Sequence, residues 1–373
     1  MTRHCRLCGG ETKSIYNFGD FFVSTFIEKI GEHVGKNPLH LVLCETCTLL
    51  QLNDTTDMNV MYKQYNYRSG INEKIVNDLG EIARSSGKLG GTWIDIGAND
   101  GTLLKYVPRG FKRIGIEPAN NTADEIDAEV VIKDFWENVT TEKAEVITAI
   151  GMFYDSEDPN LFVKNVKEHL KEGGVFIAQL MTLRPMLDKA DLGNICHEHL
   201  EYYSYKSLVK LFESNGLEIF KVEENDINGG SYRLYARHLE NGSIPYEEPE
   251  PDYNLFVKRI LENREAVRDF IQQAKHNGQK IYGYGASTKG NTILQFFDLG
   301  AYLDGIGDRN QEKIGRLTVG THIPIVSEEE ARLKADYFLI LPWGFLDAFV
   351  EREKEWHDKG GRFITHTPQF SIL

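Results

Sequence analysis

Residues 91–107 place a glycine-rich turn between an apolar strand and the start of a helix. The strand is Gly91-Thr-Trp-Ile-Asp95-Ile, the turn holds Gly97, Asn99 and Gly101, and Thr102–Val107 favours a helix. Glycines let a backbone approach a ligand closely, and a helix N-terminus favours negative groups. The segment therefore predicts an α/β sheet whose first turn binds a ligand.

The pattern that follows extends this sheet. A second strand ends in Glu117, about 20 residues after the first strand, a spacing that suits hydrogen bonds to a ribose diol. Further β-rich runs at 130–135, 146–150 and 174–180 alternate with a helical stretch near 160–171. Strands that alternate with helices predict a doubly wound parallel sheet.

Length and charge limit the remaining choices. A chain of 373 residues exceeds one typical core and indicates two or three domains. Its net charge of −14 argues against nucleic acid or an acidic membrane as the main partner. The N-terminus has no apolar leader and the chain has no run of 18 apolar residues, so we expect a soluble, cytoplasmic protein.

Four of the five cysteines form two pairs, Cys5/Cys8 and Cys44/Cys47. Each pair puts two thiols on one tight turn, and two such turns can close a tetrahedral four-thiolate site. That composition fits a structural Zn²⁺ that supplies folding energy to a small domain. Unrelated buried cysteines or a redox pair are the alternatives.

The turn Asp95-x-Gly97-x-Asn99-x-Gly101 resembles the first motif of class I S-adenosylmethionine-dependent methyltransferases. It departs from the dinucleotide pattern Gly-x-Gly-x-x-Gly, although NAD remains an alternative. The resemblance implies that Glu117 holds the ribose and that Asp134 with Phe135 flanks the adenine, whereas Asp134 could instead be a helix N-cap. The residues expected at the cofactor are Asp95, Gly97, Asn99, Gly101, Glu117, Asp134 and Phe135.

Several stretches across the chain resemble a narrower family, the sugar C-methyltransferases that act on nucleotide-linked keto-deoxysugars. They are the two Cys pairs, Tyr65-Asn-Tyr-Arg-Ser-Gly70, Met152-Phe-Tyr-Asp-Ser-Glu-Asp-Pro159, Cys196-His-Glu-His-Leu-Glu-Tyr-Tyr-Ser204, Asn228-Gly-Gly-Ser-Tyr-Arg233 and Tyr284-Gly-Ala-Ser-Thr-Lys-Gly-Asn291.

This resemblance implies three domains. They are a zinc-binding part over 1–70, a methyltransferase domain over 71–245, and a Rossmann-like substrate domain over 246–373. The last domain fits its own pattern, because strand-like runs at 280–286, 303–308 and 337–341 surround a helix start at 287–291. A helix over about 254–276 links the two halves.

The family methylates a carbon next to a ketone, which implies chemistry for the His-Glu-His run. A base must remove a weakly acidic proton, and the enolate oxygen must be stabilised. The resemblance implies Glu198 and His199 as the base site, and we predict that His199 is the base, oriented by Glu198. Tyr67 is the expected source of a substrate-facing hydroxyl. Some members have Tyr where this chain has Cys196.

Substrate contacts are expected from polar groups near this run and from two further motifs. A turn around Asn228 offers backbone amides, and a helix start near Lys289 suits a diphosphate. A plain hairpin turn and a structural role for His197 are the alternatives. The expected substrate-binding residues are Cys196, His197, Asn228, Arg233, Lys289 and Asn291.

Other functions stay open at this point. The two histidines could bind a metal, although the pattern is not the helical His-Glu-x-x-His of zinc hydrolases. An O- or N-methyltransferase would use the same cofactor without an enolate, and a non-catalytic zinc module would use neither. The nucleotide, the sugar and the oligomeric state are not predicted.

Overall fold

The structure, a computed structural model, describes residues 3–62 and 67–373. Tyr65 and Asn66 of the quoted motifs lie outside the described residues. The described strands are β1 Thr12–Phe22, β2 Phe26–Ile27, β3 Lys36–Cys44, β4 Leu50–Leu52, β5 Gly91–Ile96, β6 Phe111–Ile116, β7 Val130–Ile132, β8 Ala144–Ile150, β9 Leu170–Met181, β10 Glu201–Tyr202, β11 Leu217–Asn225, β12 Ser231–His238, β13 Ile281–Tyr284, β14 Gly305–Asp308, β15 Leu317–Thr318, β16 Ile325–Ser327, β17 Tyr337–Ile340, β18 Arg362–Thr365 and β19 Ser371–Ile372.

The helices lie mostly between these strands. They are α1 Met58–Tyr62, α2 Glu73–Ser85, α3 Thr102–Tyr106, α4 Asn120–Ala123, α5 Pro159–His169, α6 Leu183–Lys189, α7 Tyr205–Ser214, α8 Tyr253–His276, α9 Thr288–Phe296, α10 Glu328–Lys334, α11 Leu346–Arg352 and α12 Lys354–Asp358. Short 3₁₀ turns at Phe153–Asp155, Leu192–Asn194, Ile227–Gly229 and Trp343–Phe345 also shape the site.

The largest sheet has the order β11-β12-β9-β8-β5-β6-β7. Strands β5 to β9 run parallel, whereas β12 is antiparallel to both β9 and β11. Buried apolar residues fill the central strands, as in β5, where only Gly91 is exposed. This sheet confirms the expected doubly wound α/β fold and puts the turn after β5 at the carboxyl edge.

A second α/β sheet follows, with the order β16-β14-β13-β17-β18-β19. Adjacent strands in this sheet pair in parallel, except that β18 and β19 are antiparallel. The predicted linking helix is confirmed as α8, which buries a stripe that includes Phe256, Ile260, Val267 and Ile271. Among the described residues, none of the helices is long and apolar enough to cross a bilayer.

The N-terminal sheet is joined to the other two parts of the protein. Its order is β1-β3-β4-β10, so that β10 comes from beyond residue 200 while β1, β3 and β4 end by residue 52. In the same way β2 pairs with β15, at Leu317 and Thr318. The three parts therefore exchange strands across the predicted boundaries at residues 70 and 245.

Candidate active site

A cavity of about 310 Å³ opens where the three parts meet. Its wall includes the turn after β5, the run around His199 and the start of α9 near Lys289. These segments are far apart in the sequence. The structure thus brings the predicted cofactor turn, base and substrate helix to one cavity.

The glycine-rich turn leaves the cavity open for a ligand. Gly97 has a φ of +68°, and a Cβ there would lie 2.7 Å from Cγ of Met152. Gly101 (φ +72°) precedes α3, and Asp95 is buried at the end of β5, where it accepts a hydrogen bond of 2.6 Å from the Thr148 hydroxyl. Because a side chain at Gly97 would clash, this turn requires glycine.

Glu117 fixes the turn through both of its carboxylate oxygens. Oε2 accepts from the Asn99 amide at 2.9 Å, and Oε1 accepts from the Ala119 amide at 2.8 Å. Burial raises the pKa of Glu117 despite these contacts. Gly97, Asn99 and Glu117 all line the cavity. A carboxylate held in this way keeps lone pairs for a ribose diol, so the turn fits the expected cofactor.

Asp134 and Phe135 line the same side of the cavity. Oδ1 of Asp134 accepts from the Phe135 amide at 2.7 Å and from the Asn138 side chain at 2.8 Å. Asp134 is not the N-cap considered for it, because Phe135 takes that position before the 3₁₀ turn Trp136–Asn138 and no side chain caps that turn. Phe135 supplies an aromatic ring beside it, as an adenine site needs.

His199 reaches the cavity in one defined tautomeric arrangement. Its Nδ1 lies 2.8 Å from the Asn194 carbonyl oxygen, which can only accept, so Nδ1 carries the hydrogen and Nε2 carries the lone pair. The Tyr154 ring packs edge-on at 4.6 Å. Burial lowers the pKa of His199 to about 3, and the positive charge of Lys289 adds to this effect. His199 is therefore a neutral imidazole at pH 7.

The expectation that Glu198 orients His199 needs a correction. The Asn194 carbonyl takes that role through its contact with Nδ1 of His199. Residues 196–199 form a turn that is closed by a hydrogen bond from the His199 amide to the Cys196 carbonyl. Burial raises the pKa of Glu198 to about 7, and contacts with Cys196 and Thr288 offset only part of this rise. Glu198 lies in the same cavity as a titratable carboxyl rather than as a ring-orienting group.

Cys196 also lines the cavity and is buried. Burial and the nearby Glu198 and Asp155 raise the pKa of this thiol well above its ordinary value. A neutral thiol is a weak nucleophile. Cys196 thus contributes a small polar surface to the cavity.

Comparison with known proteins identifies the class of enzyme. Residues 65–222 match a family described as "Methyltransferase domain", and residues 246–368 match one described as "C-methyltransferase C-terminal domain". The chain is 27% identical over 411 aligned residues to C-methyltransferase NovU of Streptomyces niveus. This alignment covers 99% of the chain and 96% of NovU. The chain is an S-adenosylmethionine-dependent C-methyltransferase.

Solved methyltransferases resemble part of this C-methyltransferase. An S-adenosylmethionine-dependent methyltransferase from Clostridium acetobutylicum is 14% identical over 44% of this chain and 90% of that chain, with a TM-score of 0.36. Magnesium protoporphyrin IX methyltransferase from Synechocystis is 12% identical over 44% of this chain and 77% of that chain, with a TM-score of 0.35.

The residues expected at the C-methyltransferase's substrate divide into two groups. Cys196, Asn228 and Lys289 line the cavity, and Tyr67 lies at its edge with 45% of its surface exposed. Lys289 Nζ is 2.9 Å from Sδ of Met181 and 3.5 Å from the Asn228 carbonyl oxygen. Both contacts are neutral, so this ammonium group is available for an anionic ligand.

The other three predicted substrate residues make structural contacts. Arg233 donates to Asp78 at 2.6 Å and to Gln179 at 2.8 Å. Nδ2 of Asn291 donates to the Ser24 hydroxyl at 2.8 Å, and His197 Nε2 is 3.0 Å from the Asn37 carbonyl oxygen. The two histidines therefore meet different carbonyl groups and do not converge as metal ligands would.

Sequence reasoning missed several residues of the cavity wall. Asp78 and Gln179 line it and are joined by a hydrogen bond of 2.6 Å, and Trp343 closes it against Gly229. Asp155 and Tyr62 also line it. Asp155 stood within a quoted motif, whereas neither a motif nor a spacing singled out Tyr62.

The four paired cysteines converge in the N-terminal part. Their sulfurs all lie within 4.8 Å of one another, with Cys5–Cys47 and Cys8–Cys44 each at 3.5 Å. In a tetrahedral site with zinc–sulfur bonds of about 2.3 Å, neighbouring sulfurs lie about 3.8 Å apart. The amides of Thr46 and Cys47 point at Cys44 Sγ, both at 3.4 Å. This donor set fits a structural zinc ion.

Proposed function

We propose that this C-methyltransferase acts on carbon 3 of a nucleoside-diphosphate 4-keto-6-deoxysugar and makes a branched sugar. The observation that supports this most is the position of His199. His199 lines the cavity that the cofactor turn and the α9 start also line, and its Nε2 carries the lone pair. A base, a methyl donor site and an anion-binding lysine in one cavity suit alkylation beside a ketone.

His199 would remove the proton next to the ketone. Its Nδ1–H is held by the Asn194 carbonyl, so Nε2 is the atom that accepts the proton. An ionised Glu198 in the same cavity would stabilise the imidazolium as it forms, which is the electrostatic part of a His–carboxylate pair. When bound, S-adenosylmethionine supplies the electrophilic methyl group to the resulting carbanion.

The cofactor would be held by the cavity-lining part of the predicted set. Gly97 and Asn99 form the turn, Glu117 would accept from the ribose hydroxyls, and Phe135 would cover the adenine beside Asp134. Asp95 and Gly101 would position this turn without lining the cavity. Asp95 is buried near the end of β5, and Gly101 is the N-cap of α3.

The sugar diphosphate would bind where α9 begins. Ser287 caps this helix through a hydrogen bond of 3.0 Å from the Gly290 amide to its hydroxyl oxygen, and Ser287, Thr288 and Lys289 line the cavity. A helix N-terminus with an adjacent ammonium group stabilises phosphate. Asn228, whose carbonyl oxygen lies 3.5 Å from Lys289 Nζ, and Tyr67 would meet the sugar. Zinc on the four cysteines would be structural, because a four-thiolate site has no open position for substrate.

The experiment is an assay of the purified protein with S-adenosylmethionine and a set of 4-keto-6-deoxysugar nucleotides. We expect a product heavier by one methyl group, with a new carbon–carbon bond at carbon 3 in its NMR spectrum. A new O-methyl or N-methyl signal would reject the proposed reaction. A Lys289→Met variant would then show whether α9 contributes to substrate affinity.

A further inference from the structure

Asp155 lines the cavity, and none of the steps proposed above uses it. It ends the 3₁₀ turn Phe153–Asp155 that follows β8, and its amide donates to the Met152 carbonyl at 3.0 Å. The residue is 9% exposed, and it lines the same cavity as Glu198 and His199. A carboxyl group enclosed beside the base can act directly on the substrate.

The two oxygens of this carboxyl group have different surroundings. Oδ2 accepts a hydrogen bond of 2.8 Å from the Tyr62 hydroxyl, which comes from the end of α1. Oδ1 is buried and has no hydrogen-bond partner within residues 3–62 and 67–373. A buried oxygen without a partner is costly, and such a group persists where a ligand supplies the partner.

The charges around Asp155 favour its protonated form. Glu198 lies close enough to interact with it and has its own unpartnered Oε2 in the same cavity. Burial and the charge of Glu198 raise the pKa of Asp155 well above its ordinary value. Cys196, Glu201 and Tyr202, which also interact with it, are acids or neutral groups. A second buried carboxylate nearby favours the neutral form of Asp155.

We propose that Asp155, positioned by Tyr62, donates a hydrogen bond from Oδ1 to the ketone oxygen of the substrate while His199 removes the neighbouring proton. This rests on the proposed function. The carbon–hydrogen bond breaks, its proton passes to Nε2 of His199, and its electron pair moves onto the ketone oxygen. The Oδ1–H group stabilises that negative charge, and it remains on Asp155 when the new carbon–carbon bond restores the ketone.

The orientation of the carboxyl group supports this role. The Tyr62 hydroxyl occupies Oδ2, which leaves the proton on Oδ1, the oxygen without a protein partner. Lys289 is the other candidate for the enolate oxygen, but its ammonium group adjoins the α9 start and suits a diphosphate. Tyr62 is thus a positioning residue, and Asp155 is the proposed catalytic one.

The test measures enolate formation without methyl transfer. The full-length protein is incubated in D₂O with S-adenosylhomocysteine and a 4-keto-6-deoxysugar nucleotide, and deuterium uptake beside the ketone is followed by NMR. We expect Asp155→Ala to slow uptake by about 10²–10³-fold, the usual effect of removing one oxyanion donor. Asp269→Ala, which removes an exposed carboxylate of α8 outside the cavity, should keep the wild-type uptake rate.

A pH profile separates this role from a structural one. Wild-type uptake should fall at high pH as Asp155 loses its proton, and Asp155→Asn, which keeps a neutral donor, should lack this fall. Tyr62→Phe should move the fall to higher pH, because the Tyr62 hydrogen bond favours the ionised carboxylate. If Asp155→Ala does not fold, Asp155→Asn and Tyr62→Phe decide the question.

Two results would overturn the inference. One is an unchanged uptake rate in a folded Asp155→Ala variant that still binds S-adenosylhomocysteine. The other is a high-pH fall that persists in Asp155→Asn. The proposed function fails separately, when the wild-type protein makes an O- or N-methyl product and takes up no deuterium.

Discussion

The main-chain amide of Leu52 donates a hydrogen bond of 2.9 Å to the carbonyl oxygen of Leu200. Leu52 ends β4 of the cysteine-containing part, and Leu200 directly follows His199. The pairing continues into β10, where Glu201 pairs with Gln51 and Tyr202 pairs with Leu50. A buried Arg6 adds to this link, with Nε 3.6 Å from Glu201. The cysteine-containing part therefore holds one end of the run that carries the proposed base.

This link predicts that metal removal lowers activity as well as stability. Cys44→Ser should abolish binding of one zinc per chain, because it removes one of the four thiolates. The main chain of Cys44 also pairs with Leu49, just before β4. It should lower the melting temperature and slow deuterium uptake beside the ketone. Elemental analysis, thermal unfolding and the uptake assay measure these three effects.

Cys196→Ser is the matched control for Cys44→Ser, since Cys196 lies in the cavity and outside the four-cysteine cluster. It should retain one zinc per chain. A wild-type protein without tightly bound zinc would show that the cluster has another role.

Gly97→Ala is predicted to impair cofactor binding. Both Gly97 and Gly173 have left-handed backbones, with φ of +68° and +69°, but only at Gly97 does a Cβ meet another atom within 4 Å. Alanine in that conformation costs about 1–2 kcal/mol at either site. The clash with Met152 at Gly97 should add an overpacking cost of about 1–3 kcal/mol and weaken binding of S-adenosylhomocysteine about tenfold or more.

Gly173→Ala supplies the comparison in the same two measurements, denaturant unfolding and cofactor titration. It should lose stability from backbone strain alone and keep the wild-type cofactor affinity. Equal affinities for the two variants would remove Gly97 from the cofactor site.

The rate is predicted to depend on the ionisation of Glu198. Burial puts the pKa of Glu198 at about 7 and that of His199 at about 3, so of these two groups Glu198 is the one that changes charge near neutral pH. A raised carboxyl pKa means that the ionised form is lost as the pH falls below about 7. Therefore kcat/KM should rise with pH up to about 7 in the wild type.

Glu198→Gln should lack this rise and have a rate about 10²–10⁴-fold lower at high pH. Glu129→Gln, which removes an exposed carboxylate 3.0 Å from Arg113, should keep the wild-type profile. Steady-state kinetics across the pH range measure both variants. A rise that survives in Glu198→Gln would assign it to another group.

The helices and strands of the main sheets could be predicted from local sequence patterns. Apolar runs with a period of two, turns rich in glycine and a 24-residue helix from Tyr253 to His276 each have a signal within a short window. The strand pairings that join the N-terminal part to the two larger sheets' domains could not be predicted. β10 and β15 have two residues each, too few for a periodic signal, and their partners β4 and β2 lie far away in the chain.

The site was predictable where a motif carried it. Gly97, Glu117 and His199 stand in recognisable runs, and the structure brings them to one cavity. The orientation of His199 was not predictable, because it depends on the carbonyl of Asn194 across a turn. The Tyr62–Asp155 contact spans 93 residues, and such pairs arise from the packing of separate elements.

Deuterium uptake by His199→Asn is the measurement closest to the proposed mechanism. With S-adenosylhomocysteine and a 4-keto-6-deoxysugar nucleotide in D₂O, the wild type should exchange the proton on carbon 3. His199→Asn should exchange it about 10²–10⁴-fold more slowly and still bind S-adenosylhomocysteine. Exposed His276 provides the control, since His276→Asn should exchange at the wild-type rate. Wild-type exchange rates in His199→Asn would show that His199 is not the base.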